Sequence, residues 1–156
     1  MRYFNVFGPR QDPDGAYAAV IPRWFSALLR EKPVYIFGDG ETSRDFCYIK
    51  NVIQANLLAA STTNPDAAGQ VYNVAVGQCT SLNELFYAIR NLVAARYPAA
   101  ASLKPIYRDF RPGDVRHSLA DISRARKFLG YVPLYPVHKG LNESLDWYVQ
   151  RLGKKL

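Results

Sequence analysis

The sequence lacks any apolar run long enough to cross a membrane as a helix. The longest apolar stretches, at residues 16–21 and 52–60, are too short or are broken by polar residues, whereas a spanning helix takes roughly 20 apolar residues. Residues 1–5 also lack a signal-peptide pattern. These absences predict a cytoplasmic chain without a membrane partner.

Cysteine is scarce as well. The two cysteines, Cys47 and Cys79, are too few for a disulfide scaffold and do not have the spacing of metal ligands. The two histidines, His117 and His138, have no partner pattern that would suggest catalysis. We therefore expect reduced thiols, as in cytosolic proteins, and no metal site.

Blocks of like charge are absent, although the net charge is +7. Such a basic balance points to an anionic partner, namely nucleic acid, a membrane surface or a phosphorylated ligand, unless an acidic segment elsewhere compensates it. The 13 arginines and 7 lysines are scattered along the chain. Scattered arginine suits the recognition of a few phosphates better than a nucleic-acid track, so no nucleic-acid partner is expected.

The residues that are present predict one mixed α/β domain. Hydrophobic residues make up 49% of the 156 residues, which is enough for a packed core. Apolar patterning predicts strands at 2–7, 34–37, 46–49, 70–76 and 106–110, and helices at 17–31, 51–62, 82–93, 121–130 and 141–152. This order lacks the regular alternation of a complete doubly wound sheet. The first strand therefore resembles a late strand of a sheet whose other strands are missing.

Turn and capping residues support several of these boundaries. Ser81 and Glu84 form a capping-box pattern at the start of one helix. Gly130 is suited to the C-terminal end of another. Pro22 is tolerated only in the first turn of its helix, and Pro33 would close that helix.

Five segments in a fixed order carry a family resemblance. They are Arg2–Gln11, Val34–Gly40, Ser43–Tyr48, Tyr72–Val74 and Arg111–Ser118. The first resembles the segment that follows the catalytic Tyr-x-x-x-Lys helix in extended short-chain dehydrogenase/reductases, a superfamily of nucleotide-sugar epimerases, dehydratases and decarboxylases. The resemblance implies that residues 1–156 are the C-terminal, nucleotide-sugar-binding part of a Rossmann-type enzyme of this superfamily.

The resemblance also implies roles for individual residues around a UDP-sugar. Guanidinium forks suit phosphate oxygens, and a carboxylate suits a ribose hydroxyl. The implied diphosphate contacts are Asn5, Arg44 and Arg111; the implied uracil and ribose contacts are Ala19, Val20, Tyr35 and Phe37, with Asp114 on a ribose hydroxyl; and Tyr3 and Phe4 match positions beside the nicotinamide of NAD. Two alternatives stay open: Arg44 could form a surface ion pair with Asp45, and one of Tyr3 and Phe4 should pack in a core because strand side chains alternate.

Ser118 bears on the choice of sugar. In the UDP-hexose 4-epimerases that the chain resembles, a bulky residue at the matching position blocks an N-acetyl group at C2, and a small residue leaves room. Ser118 is small, which implies interconversion of UDP-N-acetylglucosamine and UDP-N-acetylgalactosamine, or of their uronic acids, for polysaccharide biosynthesis. The alternative is that Ser118 faces solvent. The string Gly113–Ser118 also resembles epimerases more than dehydratases or decarboxylases.

Two parts of the superfamily's machinery have no match in this sequence. The ten glycines do not give the Gly-x-x-Gly-x-x-Gly spacing of the NAD pyrophosphate loop. Only Tyr135 and Lys139 match Tyr-x-x-x-Lys, and nearby prolines make one continuous helix through them improbable. We therefore expect the NAD-binding Rossmann domain to be absent from this chain, NAD to belong to the parent enzyme without binding this chain tightly, and no catalytic residue here.

Several functional alternatives remain open on the sequence. The chain by itself is expected to be inactive, and the surface meant for the NAD-binding domain could allow self-association. The competing interpretations are a non-catalytic UDP-sugar-binding module, another epimerase or dehydratase of the superfamily, and a basic domain that binds an acidic partner.

One local departure from the family concerns residue 51, where the family often has Asp. Asn51 could cap the helix that follows.

Overall fold

Five helices and nine short strands make up the described part of the chain, residues 1–14 and 19–152 of a computed structural model. The helices are α1 (Val20–Leu29), α2 (Ile49–Ser61), α3 (Leu82–Ala94), α4 (Ser123–Leu129) and α5 (Val137–Leu152). The strands are β1 (Arg2–Tyr3), β2 (Val6–Phe7), β3 (Val34–Phe37), β4 (Ser43–Arg44), β5 (Cys47–Tyr48), β6 (Asn73–Val74), β7 (Thr80–Ser81), β8 (Pro105–Arg108) and β9 (His117–Ser118). Two short 3-10 helices lie at Pro65–Ala67 and Pro98–Ser102. The mixed α/β class predicted from the sequence is confirmed.

Most strand pairs are parallel. β1 pairs with β6, β2 with β5 and β3 with β8, and each pair is separated in sequence by at least one helix, as parallel pairing requires. The fourth sheet has β4 in the centre, antiparallel to β7 and parallel to β9. Residues of β2, β3, β4 and α1 line one cavity.

The first predicted strand, residues 2–7, is divided into two. The amide of Phe4 still donates to Val74, but the carbonyl of Asn5 already accepts from Cys47, so the chain changes partner between them. Asn5 has a φ of 36°, in the left-handed region that breaks a strand. The change of partner turns the side chain of Asn5 away from the β1–β6 pair.

The helix boundaries largely follow the sequence signals. The capping box of Ser81 and Glu84 is present at α3, and Gly130 ends α4 with a φ of 65°. Pro22 lies in the first turn of α1. Residues 17 and 18 of the helix predicted at 17–31 lie outside the described part of the chain. The last helix begins at Val137, earlier than predicted, and includes Gly140, where an added Cβ would lie 2.7 Å from Tyr48.

Other boundaries were wrong. The predicted strands at 46–49, 70–76 and 106–110 are realised as Cys47–Tyr48, Asn73–Val74 and Pro105–Arg108, and β4, β7 and β9 were not predicted. Asn51 does not cap a helix. It lies inside α2, fully buried, where its side chain accepts from the amides of Leu134 and Tyr135 and donates to the Tyr135 carbonyl.

Two apolar clusters hold these elements together. The larger one joins α1, α3 and α5, and includes Phe25 stacked on Tyr148 with ring centroids 4.5 Å apart. The smaller one lies between α2 and α4 and includes Cys47, Tyr72 and Tyr131. Within the described residues, no helix has the length and apolar character needed to cross a membrane.

Candidate functional site

A cavity of about 540 Å³ opens between α1, β3 and the segment that carries β4. Every residue predicted to contact the substrate, except Ser118, lines this cavity: Asn5, Ala19, Val20, Tyr35, Phe37, Arg44, Arg111 and Asp114. They come from distant parts of the sequence, so the fold brings them together. Their binding roles stay predictions.

Twelve further lining residues were not predicted, among them Arg23, Trp24, Thr42 and Phe46. Arg23 and Trp24 follow Val20 by three and four positions on α1, so they share its face of the helix. This helical spacing was the signal that could have identified them. Thr42 directly precedes β4, and Phe46 follows it by two positions. Both residues line the cavity.

Arg44 is held in place by backbone carbonyls. Its Nη1 donates to the carbonyl oxygens of Ser43, at 2.9 Å, and of Arg116, at 3.2 Å. Within the described residues, the other guanidinium nitrogens form no hydrogen bond, and Arg44 lines the cavity. The surface ion pair with Asp45 that the sequence allowed is not observed among the described residues.

Asp45 points away from Arg44 into the interior and is fully buried. Its carboxylate accepts the backbone amides of Val76 and Gly77, each at 2.9 Å, and of Ala120 at 3.4 Å. Burial raises the pKa of Asp45, and these amide bonds oppose the rise. The side chain thereby joins β4 to the segments that follow β6 and β9.

Arg111 is positioned by an aromatic ring. Its Cζ lies 3.7 Å from the centroid of the Phe37 ring. Arg108 stacks in the same way on Tyr35, with its Cζ 4.8 Å from the ring centroid. Tyr35 and Phe37 are two positions apart on β3, so both rings lie on one face of that strand.

The loop that carries Arg111 and Asp114 is docked on the turn after β3. The ring of Phe110 packs over Gly38, whose φ is 86°. Arg116 lies over the same ring, 4.7 Å from its centroid, and pairs with Asp39 at 3.0 Å. The backbone amide of Glu41 and the Arg116 guanidinium lower the pKa of Asp39. This loop, residues 109–116, forms one wall of the cavity.

Asn5 and Ser118 flank Arg44 in different ways. The Nδ2 of Asn5 donates to the Asp45 carbonyl at 3.1 Å, which places its amide at the cavity. Ser118 does not line the cavity, but β9 pairs it in register with Arg44. Paired residues present their side chains on the same face of a sheet, so Ser118 lies on the face of Arg44. Its neighbour His117 contacts Ser43 instead, with Nδ1 and Oγ 2.9 Å apart.

Tyr3 and Phe4 lie apart from the cavity. The Tyr3 ring is half exposed, and its hydroxyl donates to Oδ1 of Asn56 at 2.9 Å. Phe4 is partly buried and packs on the smaller apolar cluster, as expected for one of two alternating strand residues. The Tyr3 ring is therefore the more exposed of the two.

The Tyr-x-x-x-Lys match at Tyr135 and Lys139 does not have the geometry of a general base. Tyr135 precedes α5, whereas Lys139 lies within it. The Lys139 ammonium sits over the Tyr135 ring, 4.3 Å from the centroid, and Lys50 also approaches that ring. Both lysines therefore contact the face of the ring. That this match has no catalytic role stays a prediction.

Comparison with known proteins identifies related sequences and structures. Residues 1–75 match the model of the NAD dependent epimerase/dehydratase family. The chain is 36% identical over 147 residues to a putative UDP-glucose 4-epimerase of Methanocaldococcus jannaschii, covering 94% of this chain and 44% of that protein. The chain thus spans less than half the length of the curated relatives it matches.

Solved structures show the same fold. The UDP-glucose 4-epimerase of Thermotoga maritima, determined with UDP-glucose, has a TM-score of 0.85 and 36% identity, covering 97% of this chain and 45% of that one. The UDP-N-acetylglucosamine 4-epimerase of Methanobrevibacter ruminantium, in complex with UDP-N-acetylmuramic acid, has a TM-score of 0.80 and 40% identity, covering 96% and 45%. The chain therefore belongs to the NAD-dependent epimerase/dehydratase family.

Proposed function

We propose that this chain forms the nucleotide-sugar-binding part of an NAD-dependent UDP-sugar 4-epimerase. The observation that carries the proposal is the convergence of Arg44 and Arg111 on one cavity, together with Asn5 and Asp114. Two guanidinium groups match the two charges of a diphosphate, and a carboxylate beside them can accept from a ribose hydroxyl. The space between α1 and β3, lined by Val20, Tyr35 and Phe37, suits a flat base.

The proposed binding mode uses each side of the cavity for one part of the ligand. Arg44 and Arg111 bind the diphosphate, with Asn5 donating from the β2 side. Ala19, Val20, Tyr35 and Phe37 line the base and ribose, partly through backbone groups, and Asp114 binds a ribose hydroxyl. The sugar then extends past Arg44 toward Ser118. This arrangement fixes the ligand at its nucleotide end and leaves the sugar free to turn.

The cofactor side of the reaction is proposed to lie mostly outside the described residues. NAD, present in several of the similar solved structures, supplies hydride acceptance from C4 and hydride return to the opposite face. Tyr3 fits a place beside the nicotinamide, because its ring is half exposed at the edge of β1. Phe4 is partly buried against the smaller apolar cluster, and its place beside the nicotinamide stays a prediction. Tight NAD binding by this chain alone is therefore not proposed.

For the sugar we propose an N-acetylated hexosamine. Ser118 is small and shares the cavity face of Arg44, which leaves space for a C2 acetamido group. The 40% identity to a UDP-N-acetylglucosamine 4-epimerase supports this choice. A relative at 30% identity is a UDP-glucuronate 4-epimerase, so uronic acids are the second class. We propose a cytoplasmic role in supplying such sugars for polysaccharide synthesis.

Direct titration of ligand tests the proposal. UDP and UDP-N-acetylglucosamine are added to the purified chain in a calorimeter, with the Arg44→Ala and Arg111→Ala variants in parallel. Each variant should bind UDP about 10- to 100-fold more weakly, because a charge-assisted bond is worth about 1.5–3 kcal/mol. Arg90→Ala is the matched control, because Arg90 stacks on Tyr87 on α3 and does not line the cavity.

The outcome also separates the competing interpretations. UDP affinity that is unchanged in both cavity variants would refute the proposed site. Salt-sensitive nucleic-acid binding, untouched by these substitutions, would favour a basic domain with an acidic partner. A Ser118→Tyr variant should lose UDP-N-acetylglucosamine binding and keep UDP binding; equal loss of both ligands would count against the assigned sugar position.

A further inference from the structure

We propose that the Phe37 side chain is a positioning residue, whose ring holds the guanidinium of Arg111 in the orientation that receives the diphosphate. The inference rests on the proposed function and assigns the ring a role separate from lining the base. It concerns how this chain prepares one of its two phosphate-binding arginines before the ligand arrives.

The contact between the two side chains is the closest of its kind in the described part of the chain. Arg111 Cζ lies 3.7 Å from the centroid of Phe37, whereas the other arginine–ring pairs stand at 4.7 to 4.8 Å. At 3.7 Å the planar guanidinium lies in van der Waals contact with the ring face. The ring therefore restricts both the position of the guanidinium and the tilt of its plane.

Stacking uses the face of a guanidinium and leaves its edges free. The N–H donors of arginine point outward in the plane of the group, so a stacked arginine can still donate to two phosphate oxygens. Within the described residues no hydrogen bond or ion pair engages the Arg111 side chain. Its donors are therefore free for a ligand in the cavity that the residue lines.

Arg44 reaches the same cavity by a different kind of support. Its Nη1 is bonded to two backbone carbonyls, and no aromatic ring stacks on it within the described residues. Loss of the Phe37 ring should consequently disturb Arg111 and leave Arg44 in place. This difference supplies an internal control for the experiment.

The ring of Phe37 is itself held by the sheet. β3 pairs with β8 along four residues, and Phe37 is in register with Arg108. The next residue, Gly38, donates its amide to the Arg108 carbonyl at 2.8 Å and lies under the Phe110 ring. The backbone that carries the Phe37 ring is thus fixed by strand pairing, whereas Arg111 lies on a loop whose own residues are exposed.

A double-mutant cycle measures the coupling between the two side chains. Phe37→Leu keeps an apolar side chain but removes the flat ring, and it should weaken UDP binding about 3- to 10-fold, as expected for loss of a cation–π contact. The double variant Phe37→Leu with Arg111→Ala should bind UDP no more weakly than Arg111→Ala alone. By contrast, the losses of Phe37→Leu and Arg44→Ala should multiply, because those sites share no contact.

Two readouts separate positioning from a contact with the nucleoside or from structural damage. Uridine, which has no phosphate but still occupies the base site that Phe37 lines, should lose clearly less affinity than UDP does in Phe37→Leu, as followed by NMR titration. The Nε–H signal of Arg111, assigned by its loss in Arg111→Ala, should show the upfield shift that an aromatic ring face causes, and Phe37→Leu should abolish that shift in the absence of ligand.

The outcomes are distinct. Multiplying losses for positions 37 and 111, a loss of uridine affinity as large as the loss of UDP affinity in Phe37→Leu, or an Arg111 signal without the ring shift would overturn the positioning role. Those results would leave the proposed function standing, provided that Arg44→Ala and Arg111→Ala each weaken UDP binding. A wild-type chain without UDP affinity would overturn the proposed function and this inference together.

Discussion

Asp45 shows how a single buried carboxylate can organise a binding wall. It follows Arg44 directly, yet the two side chains have opposite surroundings, because alternate residues of an extended segment point to opposite faces. Arg44 lines the cavity, whereas the Asp45 carboxylate accepts hydrogen bonds from the amides of Val76, Gly77 and Ala120 in the interior. The backbone that carries Arg44 is thereby tied to two other segments.

Replacement of this carboxylate by an amide should be costly. Asp45→Asn keeps the size of the side chain, but its NH2 group would face backbone donors that need an acceptor. We expect the free energy of unfolding to fall by about 2–4 kcal/mol, since a buried donor loses its partner and a charge-assisted bond is removed. Urea unfolding followed by circular dichroism measures the change. Asp66→Asn, at an exposed aspartate, is the control and should change stability by less than about 0.5 kcal/mol.

A loss for Asp45→Asn as small as that for the control would show that the three amides find other acceptors.

Arg44 and Asp45 also show how much of the site can be predicted from the sequence. The resemblance identified Arg44 as a phosphate contact but left an ion pair with Asp45 open, because neighbours of opposite charge are compatible with either arrangement. The partners of Asp45 lie 31 to 75 positions away, beyond what local pattern can predict.

At the scale of elements, the turn after β3 connects the sheet with the arginine loop, residues 109–116. Gly38 has a φ of 86°, and a Cβ at this position would lie 2.1 Å from the Phe110 ring. Glycine therefore serves two purposes here: it permits the turn, and it leaves room for the ring that docks the loop.

Gly38→Ala should accordingly weaken both folding and ligand binding. Displacement of Phe110 would shift the loop that carries Arg111, so we expect UDP affinity to fall about 10-fold, as for loss of one charge-assisted contact. Gly69→Ala is the matched control: Gly69 also has a positive φ, 69°, but nothing lies within 4 Å of an added Cβ. Both variants should lose about 1 kcal/mol from backbone strain, and only Gly38→Ala should lose UDP affinity.

Calorimetric titration with UDP measures the affinity of the two glycine variants. Equal UDP affinity in both would mean that the loop does not depend on its contact with Gly38. Thermal unfolding, recorded in parallel, reports the strain that the two substitutions share.

Elements with a strong local signal were predicted well, and elements defined by distant partners were not. Val34–Phe37 was identified with its observed bounds, because four apolar residues between Pro33 and Gly38 mark a strand. α3 was identified by its capping box. β4, β7 and β9 have two residues each, too few to show alternation, and they exist only because they pair with one another. The single strand predicted at 2–7 failed at Asn5 for the same reason, a change of partner.

At the scale of the whole molecule, a buried thiol and two buried tyrosine hydroxyls make the stability of the fold sensitive to high pH. Burial raises the pKa of the Cys47 thiol to about 12, and burial also raises the pKa of Tyr131 and Tyr148. The unfolded chain releases these protons at lower pH than the folded chain does. The free energy of unfolding should therefore fall as the pH rises above about 9, by up to about 1.4 kcal/mol per pH unit for each group.

Tyr148→Phe tests this dependence. The variant loses one titrating group, and also the hydrogen bond that the Tyr148 hydroxyl donates to the Gly8 carbonyl. It should be less stable than the wild-type chain near pH 8, yet its stability should fall less steeply between pH 9 and 10.5. Urea midpoints across this range provide the measurement, and parallel curves for the two proteins would show that Tyr148 does not contribute.

Turnover is the last property that belongs to the whole molecule. The proposed reaction needs a tyrosine base whose pKa is lowered by a nearby lysine, next to bound NAD. The only Tyr-x-x-x-Lys match in the sequence, at Tyr135 and Lys139, places the lysine over the ring face and lies outside the cavity. We predict that the 156-residue chain, purified by itself, binds UDP-sugars but does not interconvert UDP-N-acetylglucosamine and UDP-N-acetylgalactosamine when NAD is added.

A coupled assay or NMR of the sugar anomeric protons detects the epimer at low levels. Activity that depends on NAD and is abolished by Tyr135→Phe would overturn the prediction, since it would assign a base role to a tyrosine that the geometry excludes. Activity that survives Tyr135→Phe would instead locate a base elsewhere in the chain. UDP-sugar binding without turnover, lost in Arg44→Ala and Arg111→Ala, is the result that a nucleotide-sugar-binding part predicts.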